Sequence, residues 1–195
     1  MIAGPNGSGK TTLTRELRIR GVDLGVYINP DDIAAELRGA YAARVAAAQA
    51  EADRLRDDCL SRRVGFSFET VMSHPSKVEI LSRAKDAGYF VILYFIATED
   101  PALNVARVKQ RVALGGHDVP ADRIVARYHR ALTLLLQAMA LSDHCVLFDN
   151  TYRAAEGEDV VLRPFFTLIR TESGLKLVSI PPIPLWAREA IASVS

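Results

Sequence analysis

Apolar positions along this chain follow two periods. Short continuous runs, "VYI" at 26–28, "FSFE" from 66, "YFVILYFIA" at 89–97 and "CVLFD" at 145–149, are separated by longer stretches in which apolar residues recur every three to four positions. The pattern predicts a clipped strand at 1–3, a helix over about 9–20, a strand at 26–28 and helical sequence from 30 to 63. It then predicts a strand at "FSFE", a helix over about 75–87, a strand at 89–97, a helix over about 101–113, a "GGHDVP" loop, a helix over about 121–141 and a last strand at "CVLFD". Strands that alternate with helices and are apolar throughout imply a five-stranded, mainly parallel sheet sandwiched by helices, an α/β fold.

The pattern changes after Asn150. "FFTLIRTESGLKLVSI" reads as a hairpin turning at Ser173-Gly174, followed by the proline-rich "PPIPL" and a short amphipathic helix. Residues 1–151 therefore read as one domain, and 152–195 as a C-terminal appendage rather than an independent domain. A chain of 195 residues is long enough for one buried core. With 24 basic and 23 acidic residues its net charge is +1, which argues against a nucleic-acid coat or a polybasic membrane contact, so an anion site has to be local. The longest apolar run is about half of what crosses a bilayer. The first ten residues lack the charged and apolar regions of a secretory signal, so a cytoplasmic protein is expected. Cys59 and Cys145 show no metal-binding spacing and read as buried thiols.

"GPNGSGKT", Gly4 to Thr11, fits the phosphate-loop pattern G-x-x-x-x-G-K-S/T between a strand remnant and a helix. Glycines let backbone N–H groups converge on phosphate oxygens, a lysine adds a mobile cation for the β and γ groups, and the following hydroxyl suits Mg²⁺. The expected ATP contacts are Gly4, Pro5, Asn6, Gly7, Ser8, Gly9, Lys10, Thr11 and Thr12, with Thr11 on the metal. Only Met1, Ile2 and Ala3 precede the loop, fewer than the roughly five residues usual for a central strand, as expected of a start placed too far downstream. "LGGHD" at 114–118 superficially suggests a transporter-type ATPase signature, but "CVLFDN" carries Asn150 where such an enzyme needs a glutamate to activate water. A guanine-reading NKxD motif is missing too.

"YINPDDIAAEL" at 27–37 poses a choice. Asn29, Pro30, Asp31 and Asp32 make a good helix start, with an N-cap, a proline at the first position and two acids facing the helix dipole. The same acids follow the second strand, where a carboxylate can take a proton from an attacking hydroxyl. Arg107 and Arg111 stand four apart on one helical face and lead into a glycine pair and a proline, suited to a lid over about 111–130 that closes over a γ-phosphate. Glu69 ends its strand, with Thr70, Ser73 and His74 in the loop beyond.

Through "GPNGSGKTT", "INPDD", "FSFET", "RVKQRVALGGHDVP" and "LFDN", residues 1–151 resemble the zeta toxin family of P-loop kinases, in particular a branch with "NPDD" and "GGHxVP". The resemblance implies a P-loop kinase fold and transfer of the γ-phosphoryl of Mg·ATP to a hydroxyl. Characterised members act on the sugar of UDP-N-acetylglucosamine and are toxins restrained by an antitoxin. It places the base on Asp31, with Asp32 as a cap or a neighbour of a metal-bound water. Glu69 becomes a substrate contact or a metal ligand through water, Thr70 a pocket residue, Arg111 the transition-state cation and Arg107 its substitute. Asn150 becomes an adenine-side contact. Asp149, in a Walker B-like run, is set aside because the strand of Glu69 is expected beside the loop strand. One departure stands out: His117 occupies the place of a second lid arginine, and Arg123, Arg127 and Arg130 on the next helix either supply that charge or face solvent. The rival readings are a nucleic-acid or nucleoside kinase, and a nucleotide-dependent interaction protein without catalysis.

Overall fold

The computed structural model describes residues 1–152 and 162–194; residues 153–161, where the C-terminal appendage is expected to begin, and Ser195 lie outside the described residues. Five parallel strands form the frame: β1 (Ile2–Ala3), β2 (Val26–Ile28), β3 (Phe66–Thr70), β4 (Ile92–Ala97) and β5 (His144–Asp149), in spatial order β2-β3-β1-β4-β5. Side chains alternate between two buried faces. Ala3, Phe95 and Leu147 point into one core, and Ile2, Ile96 and Phe148 into the other, as the apolar runs require of a sheet covered on both sides.

The sheet has seven strands rather than five. The expected hairpin, β6 (Pro164–Thr171) and β7 (Gly174–Ser179), pairs antiparallel onto the free edge of β5, with Cys145 opposite Leu168. This covers the edge of β5 that would otherwise stay unpaired, and it carries buried Phe165, Phe166 and Leu168 into the same core as Phe95.

Eight helices flank the described sheet: α1 (Lys10–Ile19), α2 (Pro30–Glu36), α3 (Tyr41–Arg62), α4 (Ser76–Asp86), α5 (Pro101–Ala113), α6 (Ala121–Thr133), α7 (Leu135–Ala140) and α8 (Leu185–Ala192). The helical sequence expected over 30–63 forms two helices, since Leu37 turns extended and Gly39 takes a φ of +117°, letting α3 fold back beside α2. The helix expected over 121–141 breaks at Leu134, after Thr133 donates its hydroxyl to the His129 carbonyl one turn back. Among the described residues no helix is long and apolar enough to cross a membrane. Cys59 and Cys145 are buried and unbridged.

Candidate active site

The P-loop leaves β1 at the centre of the sheet and ends as the start of α1. The Gly4 N–H donates to the Thr70 carbonyl at 3.2 Å, tying the loop to the end of β3. A β-carbon at Gly4, Gly7 or Gly9 would fall 2.0, 2.8 or 2.5 Å from Ile96, Asn104 or Asn150, so the loop can pass here only as glycine. Gly9 caps α1 without any side-chain hydrogen bond, whereas Asn29 and Asp100 cap α2 and α5. The first-turn amides of α1 are thereby left for an anion. Lys10 folds back to donate to the carbonyls of Gly4 and Pro5 at 2.9 and 2.8 Å.

Two asparagines hold carbonyls of the loop. Asn104 donates to the Asn6 carbonyl at 2.6 Å, and Asn150 donates to the Ser8 carbonyl at 2.9 Å. A trans peptide is planar, its C=O and the next N–H pointing opposite ways, so holding these carbonyls fixes the directions of the N–H groups of Gly7 and Gly9, two residues that line the cleft. The buried Oδ1 of Asn6 and Oγ of Ser8 have no hydrogen-bond partner among the described residues, as expected of a loop shaped around a ligand.

Glu69 is buried rather than solvated at its strand end. Its Oε1 accepts from the Thr14 hydroxyl at 2.6 Å and the Tyr27 hydroxyl at 2.7 Å, and its Oε2 accepts from Thr11 at 3.2 Å. Burial, and then the bond to Glu69, pushes the Tyr27 phenol above its usual range. Asn29 links this cluster to α2: its Nδ2 donates to Tyr27 at 3.3 Å, while its Oδ1 accepts from the Asp31 N–H at 3.0 Å. The hydroxyl of Thr11 and the carboxylate of Glu69 are hard oxygen donors of the kind Mg²⁺ takes, one or two from protein and the rest from phosphates and water. They fit that ion; among the described residues no cluster of three or more His, Cys, Asp or Glu offers a caged metal site.

In front of the loop opens a cleft of about 1110 Å³. Asn6, Gly7, Gly9, Lys10, Thr11 and Thr12 line one end, while Gly4, Pro5 and Ser8 are buried behind them. Asp31 faces this cleft and Asp32 does not. Burial, and then the neighbouring Glu69, raises the Asp32 carboxyl above its usual range. Glu69, Asp31 and Arg111 line this cleft with Lys10, and the charge of each acts on its ammonium. Glu69, Thr70, Arg107, His117 and Asn150 line the same cleft. The Thr70 hydroxyl, however, is engaged by the N–H of Met72 at 3.0 Å, a residue held at a φ of +53°.

The loop after α5 lines the cleft through Gly116, His117 and Asp118. Gly116 donates its N–H to the Arg111 carbonyl at 2.9 Å, and the ring of His117 packs on Tyr41 of α3 at 4.7 Å between centroids. Of the three α6 arginines, Arg123 and Arg127 reach the cleft, but Arg130 does not; its Nε donates to the Ser73 carbonyl at 3.2 Å. Lys10, Arg107, Arg111, Arg123 and Arg127 line the walls with the carboxylates of Asp31, Glu69 and Asp118, as do Arg56 and Lys77, which both pair with Asp53, so cations outnumber carboxylates in the cleft lining although the chain is nearly neutral. Sequence reasoning missed Thr14, Tyr27 and Asn104. Spacing was the available signal: Thr14 lies one turn after Thr11, and Asn104, Val108 and Arg111 share a face of α5.

Among solved structures, a chain of the AvrRxo1-ORF1:AvrRxo1-ORF2 complex with sulphate ions superimposes with a TM-score of 0.64 at 18% identity, covering 86% of this chain and 58% of that one. The same complex with ATP gives 0.63 at 18% identity, covering 86% and 57%. A chain of the PezAT chromosomal toxin-antitoxin system of Streptococcus pneumoniae gives 0.55 at 17% identity, covering 83% and 70%. The present chain thus spans under three fifths of the matched chain of the AvrRxo1 complex. An uncharacterised protein of Haemophilus influenzae is 33% identical over 127 residues, 64% of this chain and 88% of that protein. The family model described as Zeta toxin matches residues 1–155, taking in the phosphate loop, Asp31, Glu69, the lid and Asn150, and the chain belongs to that family.

Proposed function

We propose that this chain is an ATP-dependent phosphotransferase that moves the γ-phosphoryl group onto a hydroxyl of a small, phosphate-bearing acceptor, UDP-N-acetylglucosamine or another nucleotide sugar. The observation that carries the reading is the shared cleft: the loop amides with Lys10 at one end, Asp31 facing them, and cationic walls beyond. A nucleoside triphosphate accounts for the loop; the surplus of arginine and lysine suits an acceptor that is itself an anion.

In this reading the acceptor hydroxyl gives its proton to the Asp31 carboxylate as its oxygen bonds to the γ-phosphorus. The bond from that phosphorus to the β–γ bridging oxygen breaks, and ADP leaves. Lys10 and the amides of Gly7 and Gly9 hold the β and γ oxygens, and Arg111 faces the charge that spreads as the bond opens. Thr11 and Glu69 would hold Mg²⁺, which neutralises phosphate charge when bound. Arg107, Thr70 and His117 line the acceptor side, and Asn150 the nucleotide side. Fold likeness to a chain of the PezAT toxin-antitoxin system supports an antitoxin as a protein partner, and the near-neutral charge supports a small-molecule acceptor over nucleic acid.

Incubation with ATP labelled with heavy oxygen on the γ-phosphoryl, UDP-N-acetylglucosamine and a panel of other nucleotide sugars, read by mass spectrometry, tests the proposal. A labelled phosphate should appear on one acceptor. Asp31→Asn should keep the Kd for Mg·ADP within about twofold and lower kcat by about 10²- to 10⁴-fold. Turnover equal to that of the unaltered protein would remove Asp31 from the role.

A further inference from the structure

The last helix reaches the phosphate loop along two chains of hydrogen bonds, although it lies beyond the residues the family model matches. On one route the Trp186 indole N–H donates to Asp149 Oδ1 at 2.9 Å. That carboxylate also takes the Thr151 hydroxyl at 2.7 Å and the Thr151 N–H at 3.3 Å, fixing the turn that holds Asn150 against the Ser8 carbonyl. On the other route the first amide of α8, from Leu185, donates to Glu99 Oε1 at 3.0 Å. Glu99 follows Thr98, whose hydroxyl donates to buried Asn104, the residue bonded to the Asn6 carbonyl. Both routes end on the carbonyls that aim the Gly7 and Gly9 amides.

We propose that Trp186 is a positioning residue for the phosphate loop, and that α8 is a working part of the nucleotide site: its docking holds the Asp149–Asn150 turn, and through it the loop amides, in the phosphate-binding arrangement. This rests on the nucleotide reading given above. Asp149, which a Walker B-like pattern would have sent to a metal, is occupied instead by Trp186 and Thr151. Coupling of this kind is reciprocal, so a nucleotide that favours the aimed amides must also favour docked α8.

A purely structural anchor would also lower stability when cut, so the test separates binding from folding. Trp186→Phe keeps an aromatic ring between Phe95 and Phe165, at 5.7 and 5.5 Å in the native protein, while deleting the N–H together with part of the indole's volume. It should raise the Kd for Mg·ADP, measured by titration calorimetry, by about 3- to 10-fold, the scale of one hydrogen bond. The KM for ATP should rise in step, with kcat changed less than about twofold. A lowered Tm with unchanged Kd would overturn the proposal. Failure of the unaltered protein to bind Mg·ADP would instead overturn the nucleotide reading, and this inference with it. Should the variant not fold, hydrogen exchange of the unaltered protein decides alone: saturating Mg·ADP should slow exchange of the α8 amides at least about threefold, the same linkage seen from the other end. Equal rates with and without Mg·ADP would overturn the coupling.

Discussion

Lys10 is a cation in a place that resists charge. Burial pushes its ammonium down from 10.5 to about 8, against the pull of nearby Glu69 and Asp31 and with a push from Arg111. A bound polyphosphate favours the charged form, so the complex keeps the proton that the free protein loses above pH 8. Nucleotide affinity through this residue is therefore level below pH 8. It falls as pH rises beyond that, by up to about tenfold per unit while the complex stays protonated. Titration of Mg·ADP between pH 7 and 9.5 in buffers of different ionisation enthalpy should show proton uptake growing toward one per ADP; affinity independent of pH would contradict a buried lysine on the phosphates. Stability follows the opposite sign. The unfolded chain holds more protons than the folded one between pH 8 and 10.5, so the cost of burying this charge is full below pH 8 and is relieved across that window.

At this scale the sequence exposed the residues whose type is tied to a pattern, such as the loop glycines, Lys10, and Asn29 with its proline. It did not expose the partners of Glu69. A strand-end glutamate looks solvated until Tyr27 from β2 and Thr14 from α1 are seen to meet it, and those contacts span 42 and 55 residues of chain. The choice between Asp31 and Asp32 likewise needed the direction each takes from the first turn of α2. Adjacent helix residues point about 100° apart, and here the turn takes Asp31, not Asp32, into the cleft lining.

Among the elements, the lid is the most exacting. α5 ends where Gly116 returns its N–H to the Arg111 carbonyl, and a β-carbon at Gly116 would sit 2.9 Å from that oxygen and 2.7 Å from the Arg111 Cγ. Gly116→Ala must push the loop, the arginine side chain, or both. Displacing a positioned cation by about 1 Å can cost on the order of 10²-fold in rate. The variant should lose about 10- to 100-fold in kcat while its Kd for Mg·ADP moves less than about threefold, a split that steady-state kinetics and calorimetry read directly. Equal loss in both would mean that the lid serves the loop rather than the reaction. The glycine pair in "LGGHDVP" marked this loop in the sequence. The break at 37–40 was harder to read, because Glu36, Leu37 and Arg38 are all good helix formers and only Gly39 spoke against continuity.

On the scale of the whole molecule, periodicity recovers the five parallel strands most plainly at β4 and β5, buried on both faces and nearly unbroken in apolar sequence, and less so at edge strand β2, where Val26 is exposed. It does not show that the hairpin joins them, since a strand pattern carries no record of which edge it will pair with. The joining has an energetic consequence. Leu168 on β6 is fully buried opposite Cys145, in one cluster with Phe95, Leu147 and Ala187 of α8. The hairpin and last helix therefore share their core with the frame that carries the phosphate loop. Leu168→Ala should cost about 2–5 kcal/mol of stability, since it opens a cavity in a site with no solvent to fill it. The loss should appear as one lowered transition rather than as early melting of the C-terminal part. Far-UV circular dichroism reports the whole sheet, and the emission of Trp186, the sole tryptophan, reports the junction of α8 with β4 and β6. If one core holds both, the two signals must follow the same denaturant curve in the native protein and in the variant. A tryptophan transition that comes first would mean that the hairpin and α8 are docked on a core complete without them, and would also remove the mechanical basis for their hold on the phosphate loop.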